Sequence, residues 1–147
     1  TYVKLLKGFA YLVAIIDWFS RYVVSWELSD TLEIEFCLNN LRRALSVGTP
    51  NIHNSDQGSH FTSQRYIDIL DNQESIKISM DGRGRCMDNI FTERLWRTVK
   101  YENIYLNEYG NINEARDGLT EYFTFYNEKR KHQSLNYRTP AQIYFTK

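Results

Sequence analysis

Two stretches of this sequence set carboxylates where they could act together. The first is Asn54-Ser-Asp-Gln-Gly-Ser-His-Phe-Thr-Ser63, with Asp56 just after a short candidate strand. Ligands of open α/β sheets sit at such strand ends. Gly58 lets the backbone turn away, and Thr62 or Ser63 can cap the following helix. The same residues equally make an ordinary Asx-turn followed by a helix cap. The second stretch is Asp88-Asn-Ile-Phe-Thr-Glu-Arg-Leu-Trp-Arg-Thr-Val-Lys100. Asp88 or Asn89 can start a helix, and Glu93 lies about one turn inside it. Glu93, Arg97 and Lys100 share one helix face, with Leu95 and Val99 behind. Alone, that face reads as a solvated one carrying a salt bridge from Glu93 to Arg97. Taken together, the two motifs can converge on a divalent ion. Hard cations such as Mg²⁺ take carboxylate oxygens and keep positions open for phosphate. Two such ions about 3.5–4 Å apart can clamp the attacking and leaving oxygens of a phosphoryl transfer. Arg97 and Lys100 would then meet backbone phosphates.

The elements that must position these residues follow from the apolar pattern. Phe9 to Ile16 is apolar throughout, as a strand covered on both faces should be. Asp17-Trp-Phe-Ser-Arg21 turns the chain into a second strand, Tyr22 to Leu28. Thr1 to Leu6 forms a strand on the other side of the Lys7-Gly8 turn, which completes a three-stranded meander. Asp30-Thr-Leu-Glu33 has the spacing of a capping box. Behind it Ile34, Leu38, Leu41 and Leu45 recur at helical spacing until Gly48-Thr-Pro50. A short strand at Asn51 to Asn54, a helix from Ser63 to Asp71 and a strand at Ser75 to Met80 come next. Asp81-Gly-Arg-Gly-Arg85 is a loop, and a long helix runs from Asp88 to Tyr101 or beyond. Asn111 or its neighbour caps a last helix whose inner face is Ala115, Leu119, Tyr122 and Tyr126. A meander followed by helix-separated strands implies an α/β fold: a mixed sheet with flanking helices. By order of elements this is the ribonuclease-H-like layout.

Composition sets outer bounds. With 147 residues, 42% hydrophobic and 15% aromatic, the chain is expected to form one globular domain over residues 1–147. Its 18 basic and 18 acidic residues cancel, which argues against a freestanding DNA-binding module and not against a metal-dependent site. The basic residues concentrate in Arg83 to Lys100 and Lys129 to Arg138. Cys37 and Cys86 lack metal-ligand spacing and suit a reducing cytoplasm. The longest apolar run, Ala10 to Ile16, is too short to span a bilayer, and the first residues lack the layout of a signal peptide.

These motifs resemble a known family. Asn54-Ser-Asp-Gln-Gly-Ser-x-Phe-Thr-Ser63 and Met80-Asp-Gly-Arg-Gly-Arg-x-x-Asp-Asn-x-x-x-Glu-Arg-Leu-Trp96 are similar to the catalytic subunit of insertion-sequence transposases of the IS-three family, bacterial relatives of retroviral integrase. The likeness extends through Asp17-Trp-Phe-Ser-Arg21 and the tail Phe125-Tyr-Asn-Glu-Lys-Arg-Lys-His-Gln-Ser-Leu135 with Thr139-Pro140. It implies an integrase-like catalytic core that cuts DNA at transposon ends and joins the free 3′-hydroxyl to target DNA. It further implies two Mg²⁺ or Mn²⁺ ions held by a DDE triad, in which Asp56 matches the second acidic residue and Glu93 the third. Asn89, Arg97, Lys100 and His132 become DNA-positioning residues, and residues 83–87 a loop that moves over the substrate. DNA, further copies of the chain or a transposase subunit are the implied partners, and the bacterial cytoplasm the implied location.

The sequence also departs from that pattern. The family's first aspartate lies two residues ahead of a Thr-Tyr-(Ile/Val) string, and here Thr1-Tyr2-Val3 opens the sequence. The expectation is a chain that folds but has little or no activity by itself. Asp17 is expected to hold a turn rather than replace that aspartate. Between Asp56 and Glu93 lie 36 residues, a longer spacing than is usual in the family, with Asp71-Asn-Gln-Glu-Ser75 the natural place for an insertion. Lys131 stands where the family has proline, and Asn136 where it has glycine. Two other readings fit the residues: a ribonuclease-H-like nuclease that only hydrolyses, and a non-catalytic fragment that binds DNA or full-length transposase. His60 is expected to hydrogen-bond or face DNA, and Trp26 and Trp96 to be core or interface aromatics.

Overall fold

The computed structural model describes residues 1–81 and 90–146. Its strands are β1 (Tyr2–Lys4), β2 (Phe9–Ile16), β3 (Val23–Ser29), β4 (Ile52–Ser55) and β5 (Lys77–Met80). Its helices are α1 (Glu35–Val47), α2 (Gln64–Asp71), α3 (Ile90–Val99), α4 (Tyr105–Asn107), α5 (Ile112–Glu128) and α6 (Pro140–Tyr144). A π-helical segment, Lys100–Ile104, joins α3 to α4, and a 3₁₀ turn, Gln133–Leu135, precedes α6.

The expected meander is present: β1 pairs antiparallel with β2, and β2 with β3, while β4 and β5 pair in parallel. Antiparallel and parallel pairings therefore both occur, but in two separate ladders among the described residues. The β1 ladder stops at Tyr2↔Tyr11, followed by reciprocal Thr1–Leu12 backbone bonds of 2.8 Å.

The uninterrupted apolar run of β2 has a clear cause. Ala10, Leu12, Ala14 and Ile16 face one cluster, with Leu95 and Val99 of α3 and Ala115, Leu119, Tyr122, Phe123 and Tyr126 of α5. Val13 and Ile15 face the other, built on Cys37, Leu38 and Leu41 of α1 and Tyr66 and Leu70 of α2. Side chains alternate across a strand, so a strand covered twice must be apolar at every position. Helix α5 is pinned to β3 near both of its own ends. Asn127 exchanges two hydrogen bonds with the Val23 backbone, at 2.8 and 3.0 Å, and Arg116 donates to the Leu28 carbonyl at 3.2 Å. Asn111 is the N-cap of α5, accepting from the Glu114 N–H, and Ser63 caps α2 by accepting from the Tyr66 N–H.

One expected cap is absent. Helix α1 begins at Glu35, with Ile34 as a helical N-cap residue that makes no side-chain cap bond, so Asp30 and Glu33 form no capping box. The chain is still outside the helix at both positions. Asn136, where a glycine was anticipated from the resemblance, adopts φ 55° and ψ 42°, a left-handed conformation that asparagine tolerates better than most residues. No helix among the described residues is long and apolar enough to cross a membrane.

Candidate active site

Asp56 follows the last residue of β4, as its motif implied. Its Oδ1 accepts the Gly58 N–H at 2.7 Å, so the Asx-turn is real. A Cβ on Gly58 would lie 2.8 Å from that oxygen, which explains the glycine by close approach. The loop is fastened to the end of β5: the Asp81 N–H donates to the Ser55 carbonyl at 2.8 Å, and Gln57 Nε2 to the Asp81 carbonyl at 2.9 Å. Asn54 Nδ2 reaches Ser79 Oγ at 3.2 Å, while its Oδ1 is buried without a hydrogen bond.

Glu93 stands in the first turn of α3, exposed, with Leu95 and Val99 buried behind it. The Glu93–Arg97 salt bridge of the solvated-face reading does not form among the described residues. Arg97 instead lies over the Tyr101 ring at 5.5 Å, and Lys100 opens the π-helical segment. Asn89, Asp88, Cys86 and the 83–87 loop fall outside the described residues.

Residues of the two acidic motifs line one cavity. The Thr1 amino group is held below its ordinary pKa by burial first and by Lys100 next, while Cys37, Glu93 and Asp56 act in the opposite direction. The cavity has a volume of about 850 Å³ and opens beside Thr1, walled also by Asn54, Asp56, Thr92, Trp96 and, from the Asp17 turn, Asp17, Trp18 and Phe19. Asp17 holds that turn: its Oδ2 accepts from the Ser20 N–H and Oγ, at 3.0 and 2.6 Å, as expected. The oxygen of Asn54 was missed in the sequence. The signal was its position two residues before Asp56, on the same side of an extended chain.

His132 is engaged elsewhere. Its ring meets Tyr126 edge-on at 5.1 Å, and Nε2 lies 3.3 Å from Arg130 Nη1. Burial, with Arg130 and Arg21 adding to it, pushes its pKa down to about 4, so it is neutral at pH 7. His53 is buried against the Tyr66 hydroxyl at 3.0 Å and is likewise pushed down to about 4 by burial. His60 packs edge-on to Phe36 at 6.1 Å. Trp26 packs on Phe123 at 5.1 Å, and Trp96 lies half-buried against the α3–α5 cluster.

The integrase core domain model matches residues 1–86, and a second model of the same description matches residues 74–140. The chain belongs to the integrase core domain family. It is 37% identical over 135 residues to the putative transposase InsK for insertion sequence element IS150 of Escherichia coli, covering 90% of this chain and 47% of that protein. It is 33% identical over 147 residues to the transposase for insertion sequence element IS904 of Lactococcus lactis, covering 97% and 58%. The chain therefore spans about half the length of these relatives. Among solved structures, the HTLV-2 integrase catalytic core domain in complex with magnesium superposes with a TM-score of 0.75 at 23% identity, covering 97% of this chain and 90% of that one. The BIV integrase core gives 0.72 at 17% identity, covering 99% and 90%. The fold is ribonuclease-H-like, as the order of elements implied.

Proposed function

We propose that residues 1–147 form a single integrase-like core that serves metal-dependent cleavage and joining of DNA strands. The observation that supports this best is that Asp56, just after β4, lines a cavity that Thr92 and Trp96, on either side of Glu93 in α3, also line. Asp56 and Glu93 are the residues that would hold Mg²⁺ or Mn²⁺. They suit one ion: two hard carboxylates, the buried Asn54 oxygen nearby, and room for phosphate oxygens. A bound ion would supply charge neutralisation at a transferring phosphate. The chain's own residues orient the DNA, with Arg97 and Lys100 meeting backbone phosphates. DNA ends, target DNA and further transposase copies are the partners, in the bacterial cytoplasm.

Titration of the purified chain with Mn²⁺, read by paramagnetic resonance, tests this reading. The expected result is one bound ion per chain, lost in Asp56→Asn and in Glu93→Gln. Ion binding indifferent to both substitutions overturns the assignment.

A further inference from the structure

The turn between β2 and β3 is fastened from within. Asp17 Oδ2 takes both donors of Ser20, the Asp17 N–H donates to the Tyr22 carbonyl, and Ser20 is wholly buried. Between these anchors Trp18 and Phe19 stand out, 39% and 68% exposed. A rigid turn that displays two large aromatic rings needs a reason, since solvent-exposed rings contribute little to a core. Arg21, next in line, adopts φ 64°, a region that glycine or asparagine occupies far more readily. That backbone carries its guanidinium to 4.1 Å above the Phe91 ring, and Trp18 meets the same ring at 5.4 Å. Phe91 is in the first turn of α3, two residues ahead of Glu93. Arg94 lies near enough to Arg21 for the two cations to feel each other. Trp18 and Phe19 also wall the cavity that Asp56 lines. One edge of the site thus presents aromatic faces and guanidinium groups together, the combination by which proteins hold unpaired nucleotides.

We propose that the Trp18–Phe19 turn is a nucleobase platform: Phe19 stacks on an unpaired base at a DNA strand end, while Arg21 and Arg94 meet its phosphates. The platform rests on the DNA-processing reading above and adds a residue to it. Stacking engages any base, so it tolerates sequence and demands only that the base be unpaired. A strand frayed at its end satisfies that demand; a blunt duplex does not. The occupant is nucleic acid because the aromatic tip is flanked by two cations and is continuous with the carboxylate cavity.

The test uses the whole 147-residue chain and two labelled duplexes, one blunt and one carrying a terminal unpaired 2-aminopurine. The wild type binds the frayed duplex more tightly and quenches its fluorescence. Phe19→Ala weakens that binding about tenfold, the scale of one lost stacking contact, and removes the quench. Phe19→Trp restores both. Binding of the blunt duplex is unchanged, and an unaltered melting temperature shows that the exposed substitution left the fold intact. Equal loss on both duplexes, no loss on either, or a change only in the oligomeric state of the chain overturns the platform. Absence of binding to either duplex by the wild type overturns the DNA-processing reading together with it. Binding that depends on Arg97 and Lys100 but not on Phe19 leaves that reading standing and removes the platform alone.

Discussion

Glu102 and the pair Asp56 and Glu93 are carboxylates of one small domain, treated in opposite ways. Glu102 is consumed by its surroundings. It accepts from Arg130 Nε at 2.9 and 3.1 Å, from Arg130 Nη2 at 2.7 Å and from the Tyr122 hydroxyl at 2.7 Å. Those bonds, Arg130 foremost, hold its carboxyl below the usual range and clamp the end of α5 to the π-helical segment. Asp56 spends one oxygen on a turn, and Glu93 forms no salt bridge among the described residues. A carboxylate that builds the fold has satisfied acceptors; under the proposed function, Asp56 and Glu93 instead offer theirs to a cation. Their positions show the same division, since Glu102 and Arg130 join two distant parts of the chain while Asp56 and Glu93 sit at element ends beside a cavity.

The sharpest way to break this comparison is to remove charge from each side in turn. Asp56→Asn and Glu93→Gln should weaken Mn²⁺ binding by more than the roughly 10–100-fold typical of losing an outer-shell partner, with stability within about 0.5 kcal/mol of wild type. A large fall in melting temperature would show that these carboxylates are structural after all. Glu102→Ala should do the reverse. It leaves Arg130 and Tyr122 without their acceptor, costing about 1–2 kcal/mol after allowance for partial exposure, or about 2–8 °C in melting temperature, with ion binding unchanged.

Acid separates the two sides again. His53 and His132 both have folded pKa values near 4, below the ordinary histidine value of 6.5. Their contribution to stability is complete above pH 6.5 and is lost as pH falls towards 4, because the unfolded chain takes up protons first. Glu102, also depressed, adds a loss at still lower pH, beginning as pH falls below the ordinary glutamate range. Urea midpoints should therefore drop between pH 6.5 and 4, and His132→Gln should flatten part of that slope. A flat profile in the wild type would refute the burial account. The smallest effect is expected from Gly58→Ala, which displaces Asp56 Oδ1 and costs about 1 kcal/mol or less of ion affinity through the lost Gly58 hydrogen bond. Wild-type ion affinity in that variant would mean that the turn does not aim the carboxylate.

What the sequence revealed, and what it hid, depended on the range of the interaction. The two-sided burial of β2, the inner face of α5 and the caps at Ser63 and Asn111 were all legible, because each rests on periodicity or on residues three or four apart. The pattern at Asp30 and Glu33 misled for the same reason: the spacing is right, but the chain does not enter the helix until Glu35. The candidate site was legible as two motifs, while the Asn54 oxygen and the aromatic wall at Trp18 and Phe19 required the fold. The clamp of Arg130 on Glu102 spans 28 residues and carries no local signal. Gly118 is a similar case. A Cβ there would collide with the buried Tyr109 hydroxyl, which donates to Asn103, and nothing near Gly118 in sequence announces it.

The pairing of β2 with β3 has a consequence in time. Leu12 turns its backbone bonds towards Thr1, so by alternation Val13 and Ile15 direct theirs to β3. In deuterated water the amides of Val13 and Ile15, held between two apolar clusters, should exchange slowly, at the pace of global opening. The most apolar strand of the molecule would then report, through these two amides, how often the whole domain comes apart.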